Sequence, residues 1–511
     1  MKISRFIVLI TLFNMVVYHV PFFKYAISNL SFTTTSGILT LMSLSIALFV
    51  VMVFIFHLMA SISIKLLKYF TIVMVVGNSI AVYFSLTYNV ILDRTMMGNV
   101  FNTDFKEATS YYDPKIFLYI FFLGIVPAFL ISRIRLLKPK RFKMVLIAFS
   151  TLFVGVFLLY LNSGTWLWLD KNSKIMGGLS MPWSYMINPI RYKLRLMKKS
   201  QKQILLPDGK LKNDDKMIVV LVIGESARKR NFSLYGYKKD TNPLLEKQNV
   251  LVVKDTTSVA TYTTASLSCM LSATGSTSDS HEPLSSYLQR QGVDVIWRAN
   301  NWGEPKMKVK IYQKIEDIKT CQGEKCGYDE GLLSGILDTI KRSDKNKIFV
   351  VLHTAGSHGP TYYKKYPKGF EKFKPVCKSV DLKECTNEEL INAYDNTILY
   401  TDYFLNQTIE TFKKIKDFPV VMLYLSDHGE SLGEYGLYLH GTPYSIAPDV
   451  QKEIPFIIWE SDKFMKKKGF SKPEVSARDS YGQYNIFHTV IGAFDLQSSV
   501  YNPKLDILKN N

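Results

Sequence analysis

Cysteine and histidine are scarce in this sequence, and they are unevenly placed. Among 511 residues there are five cysteines and eight histidines, and no cysteine occurs before Cys269. No short apolar stretch ends in a small-residue cleavage site, so we predict no removable signal peptide. Internal repeats and low-complexity tracts are also absent from the sequence, which excludes a repeat array.

No nucleic-acid-binding motif accompanies the formal net charge of +20. We therefore exclude a nucleic-acid partner. A membrane protein that works beside anionic lipids has ample reason to be basic, because its charges face lipid headgroups and solvent. Membrane lipids are the partners that this charge favours.

Apolar sequence is concentrated in the first third of the chain. There it forms runs of about 20 residues, the length that crosses a bilayer as a helix. Five such runs are found at residues 6–27, 36–58, 69–92, 116–131 and 144–161. One buried soluble helix can imitate a spanning run, but five together indicate a membrane domain with five transmembrane helices.

The basic residues predict the orientation of these helices. Lys and Arg are more frequent in cytoplasmic loops, and they occur before the first run, between the second and third, and between the fourth and fifth. These residues are Lys2, Arg5, Lys65, Lys68, Arg133, Arg135, Lys138, Lys140, Arg141 and Lys143. We expect a cytoplasmic N-terminus and, after five spans, an external location for everything beyond residue 161.

The cysteines fit that location. Cys321 and Cys326 form one close pair in polar sequence, and Cys377 and Cys385 form another. Such pairs suit two small disulfide loops in an oxidising compartment. A zinc site of four cysteines is the alternative, but the spacings differ from the usual two-residue knuckle. Cys269 is left over, and we expect it to be buried.

The segment at residues 163–216 connects two differently composed parts of the chain. It contains tryptophans at 166, 168 and 183, followed by a basic stretch, which suits a segment lying along lipid headgroups. An ordinary linker helix packed on the external domain is an equally good interpretation. We predict three parts: a transmembrane domain at 1–162, this juxtamembrane linker at 163–216, and a catalytic domain at 217–511.

From residue 217 onward, short β-branched runs alternate with helical stretches. The predicted strands are residues 217–223, 250–253, 293–297, 347–353, 419–425 and 454–459. Near-continuous apolar strands are covered on both faces, which predicts a layered α/β domain. A long helix is predicted from Asn387, capped by Thr386, to Lys414. Ligands bind at the carboxyl ends of the strands in such sheets.

Chemically active residue types follow several predicted strands. Glu225, Asp427 and His428 offer two carboxylates and an imidazole, a combination that suits zinc. Thr263, at the start of a predicted helix, can supply a hydroxyl that the metal activates as a nucleophile. The free N–H groups at that helix start favour a phosphate.

Other nearby residues have roles that the sequence leaves less defined. The remaining histidines of these segments, His358 and His440, are suited to binding phosphoryl oxygens or protonating a leaving group. Rival hydroxyls for the nucleophile are Thr261, Thr264 and Ser266. We interpret His19 and His57 as structural, expect His353 to be a near-core residue whose role the sequence leaves open, and leave His281 and His488 unassigned.

These segments together resemble the phosphoethanolamine transferases of Gram-negative bacteria, which include lipid A-modifying enzymes and the mobile colistin-resistance proteins. The resemblance covers about residues 217–493 and reaches a loop before the fourth span. The matching segments are residues 99–104, 107–108, 223–228, 231–234, 236–237, 241–243, 353–367, 392–397 and 426–441. It implies an alkaline phosphatase/sulfatase-like α/β/α domain, located in the periplasm of a bacterial inner-membrane protein.

The resemblance also implies roles for individual residues. Zinc would be bound by Glu225, Thr263, Asp427 and His428, with Thr263 carrying phosphoethanolamine. His358 and His440 match a second pair of histidines, which in the family contact substrate or a second zinc. Substrate contacts are implied for a larger set: Asn99, Thr103, Glu107, Asn301, Lys306, His358 and His440.

Two departures from the family pattern concern the region around the nucleophile. Ser268 stands where relatives often have proline, and the upstream cysteine that often pairs with the equivalent of Cys269 is absent. Residues 300–306 also lack cysteines that are found in some relatives. Since that segment helps form the substrate pocket, the sequence leaves the acceptor open.

We predict a two-step transfer. Thr263 takes phosphoethanolamine from phosphatidylethanolamine, and an acceptor then takes it from Thr263; lipid A, a core glycan and a protein hydroxyl are all candidates. We expect a monomer. The alternatives are a phosphoglycerol transferase of the lipoteichoic acid synthase type and a non-catalytic membrane scaffold or sensor. The paired cysteines and the motif at residues 392–397 argue against the first, and the intact zinc-binding set argues against the second.

Overall fold

The computed structural model describes residues 1–30, 32, 35–103, 109, 111–138, 140–162, 166–199, 203–469 and 481–509. These residues form two compact units, Met1–Met197 and Lys198–Asn511. The segment predicted as a linker therefore contributes to both units, and its helical part belongs to the first. The bounds predicted for the three parts remain a prediction.

The first unit is helical. Its helices, in chain order, are α1 (Ile3–Val17), α2 (Val20–Asn29), α3 (Thr35–Ile62), α4 (Ile64–Thr87), α5 (Arg94–Asn102), α6 (Lys115–Tyr119), α7 (Val126–Arg133), α8 (Arg141–Leu161), α9 (Trp166–Leu179) and α10 (Trp183–Lys199). A π-helical segment, Ile120–Ile125, joins α6 to α7 into one continuous 19-residue helix.

Within the described residues, four helices are long and apolar enough to cross a membrane: α3, α4, α6–α7 and α8. A fifth span results if α1 and α2, which meet at 58°, together cross once. The first predicted span is thus not one straight helix. Pro21 lies in the first turn of α2, where its missing N–H costs no helical bond. His19 Nδ1 donates to Asn14 O at 3.1 Å across the break.

Buried polar side chains join the helices of the first unit. Asn78 Nδ2 donates to Asn14 Oδ1 at 2.6 Å, and Tyr185 OH donates to Asn78 Oδ1 at 2.7 Å. His57 Nδ1 donates to Val53 O at 2.8 Å. Hydrocarbon cannot form hydrogen bonds with polar groups, so buried polar side chains in a membrane pair with one another or with the backbone. The contacts of His19 and His57 therefore fit their interpretation as structural residues.

Among the described residues, the second unit contains all thirteen strands and six further α-helices. Its strands are β1 (Lys210–Leu211), β2 (Met217–Gly224), β3 (Val250–Val253), β4 (Thr256–Thr257), β5 (Asp294–Ala299), β6 (Ile311–Lys314), β7 (Lys347–His353), β8 (Val420–Ser426), β9 (Ser431–Leu432), β10 (Tyr438–Leu439), β11 (Phe456–Glu460), β12 (Tyr481–Gly482) and β13 (Leu496–Gln497). Its helices are α11 (Thr263–Met270), α12 (Leu284–Arg290), α13 (Ile336–Lys341), α14 (Asn387–Lys413), α15 (Asp462–Lys468) and α16 (Ile486–Ala493).

Seven strands form the main sheet in the order β3-β11-β8-β2-β7-β5-β6. Strands β8, β2, β7, β5 and β6 are parallel, and β11 is antiparallel to both of its neighbours. The central strands are buried along their whole length, as continuous apolar runs require. The predicted α/β fold is confirmed, and all six predicted strands are present within about two residues of their predicted bounds.

The long helix α14 begins where the sequence predicts. Thr386 Oγ1 accepts a hydrogen bond from Glu389 N at 3.3 Å, and Glu389 Oε2 accepts one from Thr386 N at 2.8 Å. This reciprocal capping box satisfies N–H groups that the first turn of a helix leaves free. The helix ends at Lys413, one residue before the predicted end.

The structure contains both short-range disulfides and leaves Cys269 free and buried. Burial raises the pKa of the Cys269 thiol to about 12. Because the thiolate is the reactive form, we expect Cys269 to resist alkylation until the protein unfolds. Non-reducing peptide mapping should recover Cys321–Cys326 and Cys377–Cys385. A bridge between Cys269 and Cys321 in that map would contradict this pairing.

Candidate active site

Three predicted metal ligands meet at the carboxyl edge of the main sheet. Glu225 directly follows β2, and Asp427 and His428 directly follow β8. The two strands are parallel neighbours, with Gly224 opposite Ser426. Since neighbouring parallel strands end at the same edge, the fold brings the three side chains together. All three are fully buried.

Thr263 lies directly against this group. It is the first residue of α11 and is 6% exposed. Its hydroxyl donates to Glu225 Oε2 at 3.1 Å, and its Oγ1 lies 3.5 Å from His428 Nε2. The N–H groups of the first helical turn lack intrahelical acceptors and favour a negative charge at this end of α11. The position therefore suits a hydroxyl that attacks a phosphate.

The rival hydroxyls have other surroundings. Thr261 Oγ1 donates to Thr442 O at 2.6 Å, which commits it to the backbone. Ser266 is fully buried, and its hydroxyl has no partner among the described residues. Among the contacts that the structure describes, only the Thr263 hydroxyl reaches Glu225 from this segment. The geometry favours Thr263 over its neighbours.

The backbone around Glu225 adopts uncommon conformations. Ser226 has φ +56°, a left-handed conformation that is rare outside glycine. Tyr394 OH stabilises it by donating to Ser226 O at 2.6 Å. Opposite it, Gly356 has φ +47°, and a Cβ there would lie 2.6 Å from Glu225 O. The close approach of the two loops thus requires glycine at 356 and fixes the direction of the Glu225 side chain.

Hydrogen bonds set the ring orientation of His428. Its Nδ1 donates to Gly429 O at 2.9 Å, so its Nε2 lone pair faces the carboxylates. That Nε2 lies 3.2 Å from Asp427 Oδ2 and 3.4 Å from Glu225 Oε1. Three electron-rich atoms therefore point at one another inside a buried site, the arrangement expected around a cation.

The two carboxylates have different electrostatic surroundings. Burial acts to raise the pKa of Glu225, but the neighbouring imidazoles of His428, His358 and His440 and the hydrogen bond from Ser226 outweigh it and hold that pKa below its ordinary value. Burial and the charge of Glu225 raise the pKa of Asp427 well above its ordinary value. Like charges this close oppose one another unless a positive charge lies between them.

The residues present fit a metal ion. Asp427 Oδ2 is buried and has no hydrogen-bond donor among the described residues. Glu225, His428 and His440 each offer one ligand atom, and these atoms lie within 4.8 Å of one another. A carboxylate and imidazole set of this kind is typical of zinc and similar divalent ions. Within the described part of the chain, His440 therefore joins two of the predicted ligands, Glu225 and His428, in this group.

A buried carboxylate orients His440. His440 Nδ1 donates to Glu430 Oε2 at 2.8 Å, and Tyr362 OH donates to Glu430 Oε1 at 2.6 Å. The His440 ring centroid lies 4.3 Å from that of His428 and 5.1 Å from that of His358. The bond at Nδ1 leaves Nε2 of His440 available to a ligand, which is how carboxylates commonly support metal-binding or phosphate-binding histidines.

The loop after β5 forms another wall of the site. Asn301 Nδ2 donates to Glu225 Oε2 at 2.8 Å, and Asn301 Oδ1 accepts from Trp302 N at 2.9 Å, which fixes the amide orientation. A Cβ at Gly303 would lie 3.2 Å from Thr263 Cγ2. Lys306, on the same loop, is exposed. Asn301 therefore contacts the group of Glu225, Asp427, His428 and His440, which is called the metal-type cluster below. The sequence predicts only a substrate contact for Asn301.

The predicted lipid contacts of the first unit are only partly described. Asn99 lies on α5, and Thr103 follows that helix, with its hydroxyl donating to Asn99 O at 2.8 Å. Glu107 lies outside the described residues. Substrate binding by these three residues remains a prediction.

The remaining histidines lie apart from the metal-type cluster. His353 is fully buried at the end of β7, and its Nδ1 is 3.8 Å from Glu304 Oε2. His281 Nδ1 donates to Asp279 Oδ1 at 2.6 Å in a surface turn. His488 Nε2 donates to Ala273 O at 3.1 Å.

Several polar residues of the sequence motifs do not contact the cluster but pair with one another around it. Arg228 Nη1 pairs with Glu434 Oε1 at 2.6 Å. Asn231 Nδ2 donates to Asp395 Oδ1 at 2.6 Å, and Lys239 Nζ pairs with Asp395 Oδ2 at 2.8 Å. The contacts of Asn231 and Lys239 tie the loop after β2 to α14, and the Arg228 pair ties the same loop to the segment between β9 and β10. In the sequence these residues are recognisable only as family motifs. Their pairing could not be predicted, because side chains more than 150 residues apart leave no local signal.

Comparison with known proteins gives a consistent assignment for both parts of the chain. A family model described as phosphoethanolamine transferase EptA/EptB matches residues 48–196, and the sulfatase family model matches residues 218–496. Phosphoethanolamine transferase EptA of Helicobacter pylori is 39% identical over 97% of this chain and 94% of its own length.

Two further relatives carry names that describe donor and acceptor. Phosphatidylethanolamine transferase Mcr-1 of Escherichia coli is 30% identical over 82% of each chain. The integral membrane lipooligosaccharide phosphoethanolamine transferase A (EptA) of Neisseria meningitidis has a solved structure that superposes with a TM-score of 0.88. It covers 98% of each chain at 27% identity.

Proposed function

The chain belongs to the phosphoethanolamine transferase family, and we propose that it moves phosphoethanolamine from phosphatidylethanolamine to lipid A through Thr263. One observation carries the proposal: the Thr263 hydroxyl donates to Glu225 at the start of α11, beside the buried group of Glu225, Asp427 and His428. The names of the Mcr-1 and Neisseria relatives support the donor and the glycolipid class of the acceptor. A core glycan and a protein hydroxyl remain the other acceptors.

We propose zinc as the metal, held by Glu225, Thr263, Asp427 and His428. When bound, zinc would supply the positive charge that makes a hydroxyl nucleophilic at neutral pH and offsets charge on phosphoryl oxygens. His440 lies close enough to join this set or to hold a second ion. The unpartnered Asp427 Oδ2 and the inward Nε2 of His428 support this assignment.

In the first step, Thr263 Oγ1 forms a bond to the donor phosphorus as the bond from phosphorus to the diacylglycerol oxygen breaks. Glu225 Oε2, which accepts a hydrogen bond from the Thr263 hydroxyl, orients it for this attack, and the hydroxyl loses its proton as the departing oxygen gains one. His358 and His440 are placed to stabilise the phosphoryl oxygens and to give a proton to the leaving oxygen, which departs as diacylglycerol.

In the second step, an acceptor oxygen forms a bond to phosphorus and loses its proton, while the bond to Thr263 Oγ1 breaks and Thr263 regains a proton. The N–H groups at the start of α11 and the ordered Glu430–His440 pair keep the phosphoryl group in one orientation through both steps. Asn301, Lys306, Asn99, Thr103 and Glu107 are proposed substrate contacts.

We propose an inner-membrane location with a cytoplasmic N-terminus and a periplasmic second unit, and a monomeric protein. The Lys and Arg residues around the spans support the orientation. The two disulfides support an oxidising compartment for the second unit.

An acceptor and donor survey tests the proposed reaction. The purified full chain, with phosphatidylethanolamine and lipid A, should produce diacylglycerol and lipid A carrying added phosphoethanolamine, both detected by mass spectrometry. Phosphatidylglycerol in place of phosphatidylethanolamine should give no product. Consumption of phosphatidylglycerol alone would instead support the phosphoglycerol transferase alternative.

A further inference from the structure

A groove of about 530 Å³ on the edge of the main sheet contains none of the residues assigned to the metal or the nucleophile. It is lined by Gln289, Met307, Lys308, Val309, Lys310 and Tyr312. Its lining combines cationic, amide, aromatic and aliphatic groups, so it can contact both the charged and the apolar parts of one ligand.

The segment that forms the groove alternates in exposure. From Lys306 to Lys314, even-numbered residues are exposed and odd-numbered residues are half-buried. In β6 this alternation places Tyr312 and Lys314 on the solvent-facing side of the strand. The solvent-facing positions of the whole segment are four lysines and one aromatic residue: Lys306, Lys308, Lys310, Tyr312 and Lys314.

The lysines at these positions differ in their pairing. Lys310 Nζ is neutralised by Asp294 at 2.7 Å and Asp344 at 3.1 Å. No ion pair involves Lys306 or Lys308 among the residues that the structure describes. The backbone N–H of Lys308 donates to Ser286 Oγ at 2.7 Å, which anchors the chain while leaving the ammonium group in solvent. Lys306 and Lys308 therefore offer uncommitted positive charge.

The same stretch of chain connects the groove to the nucleophile. Asn301 contacts Glu225, and the backbone at Gly303 packs against Thr263. Three residues span at most about 10 Å, so Lys306 lies within about that distance of Gly303. By the same measure Lys308 lies within about 18 Å of Gly303, so one extended acceptor molecule can reach both places.

We propose that this groove binds a phosphorylated sugar of the acceptor, with Lys308 pairing with a phosphate and Tyr312 contacting a sugar ring. The inference rests on the proposed function, because the occupant is a second phosphate of the glycolipid whose other end reaches Thr263. Lys306 would add a second positive charge near the same phosphate. Charge-assisted hydrogen bonds from ammonium to phosphate supply the attraction.

Exposed lysines on an edge strand also hinder unwanted pairing between sheets, and a matched control separates the two roles. Lys247 and Lys254 are exposed beside β3, the opposite edge of the same sheet. Replacing both by glutamine removes the same charge as the double variant Lys306→Gln/Lys308→Gln.

The experiment compares lipid A carrying two phosphates with lipid A carrying one, using the full chain in detergent. For the wild type, KM should be lower with two phosphates. Lys306→Gln/Lys308→Gln should raise KM for the two-phosphate form about tenfold and abolish the difference. Lys308→Gln should give part of this effect and Lys308→Arg should retain the wild-type preference, as should the control pair Lys247→Gln/Lys254→Gln.

Acceptor-free release of diacylglycerol measures the donor step separately. It should be unchanged in the Lys308→Gln variant, and its absence in the wild type would contradict the proposed function instead. Two results would overturn the groove assignment: an unchanged preference in the Lys308→Gln and double variants, or an equal rise in KM for both acceptors with weaker binding to phosphatidylglycerol vesicles. The second result would identify membrane headgroups as the source of the phosphate.

Discussion

Replacing Thr263 by alanine is expected to reduce phosphoethanolamine transfer by at least about 1,000-fold. The substitution removes the hydroxyl that donates to Glu225 Oε2 at 3.1 Å and leaves the rest of the site in place. Because no other hydroxyl of this segment makes that contact among the described residues, no neighbour is positioned to replace it. Transfer is measured as phosphoethanolamine-modified lipid A formed per minute.

Thr264→Ala is the matched control, since Thr264 is the next residue of α11 and its hydroxyl makes none of the described contacts with Glu225, Asp427 or His428. It should keep most of the wild-type activity. Wild-type rates in Thr263→Ala, or an equal loss in both variants, would contradict the assignment of the nucleophile.

Glu225→Gln and His428→Ala are each expected to abolish metal binding and to lower the transfer rate at least about 100-fold. Glu225→Gln removes one charge with little change of shape, and His428→Ala removes the inward Nε2. The wild type should contain about one zinc per chain by elemental analysis, and chelation should abolish turnover until zinc is restored.

His281→Gln serves as the control for metal content, because His281 pairs with Asp279 in a surface turn away from the cluster. Its zinc content should equal that of the wild type. Full turnover after exhaustive chelation would contradict the metal assignment, and so would unchanged zinc content in both Glu225→Gln and His428→Ala.

The sequence predicts the sheet and much of the site for a local physical reason. Parallel buried strands appear as continuous apolar runs, and the polar residue that follows each run must lie at the carboxyl edge of the sheet. Glu225, Asp427 and His428 are found together for this reason alone. Thr263 was predicted at a helix start, and it is the first residue of α11.

Other features have no local signal. Strand β6 was not predicted, because Ile-Tyr-Gln-Lys alternates on a half-exposed edge instead of forming an apolar run. The bend between α1 and α2 falls within a run whose predominantly apolar composition predicts a single straight span. The support of His440 by Glu430 and Tyr362 joins residues 68 positions apart, so only the folded structure brings them together.

The central claim is that Thr263 carries phosphoethanolamine between donor and acceptor. Its most direct test is the intact mass of the full chain after incubation with phosphatidylethanolamine and no acceptor. We predict diacylglycerol release and a protein heavier by one phosphoethanolamine group, located by peptide mapping on Thr263. An unmodified protein that nevertheless transfers phosphoethanolamine once lipid A is added, with no trapped intermediate under rapid quenching, would contradict the account.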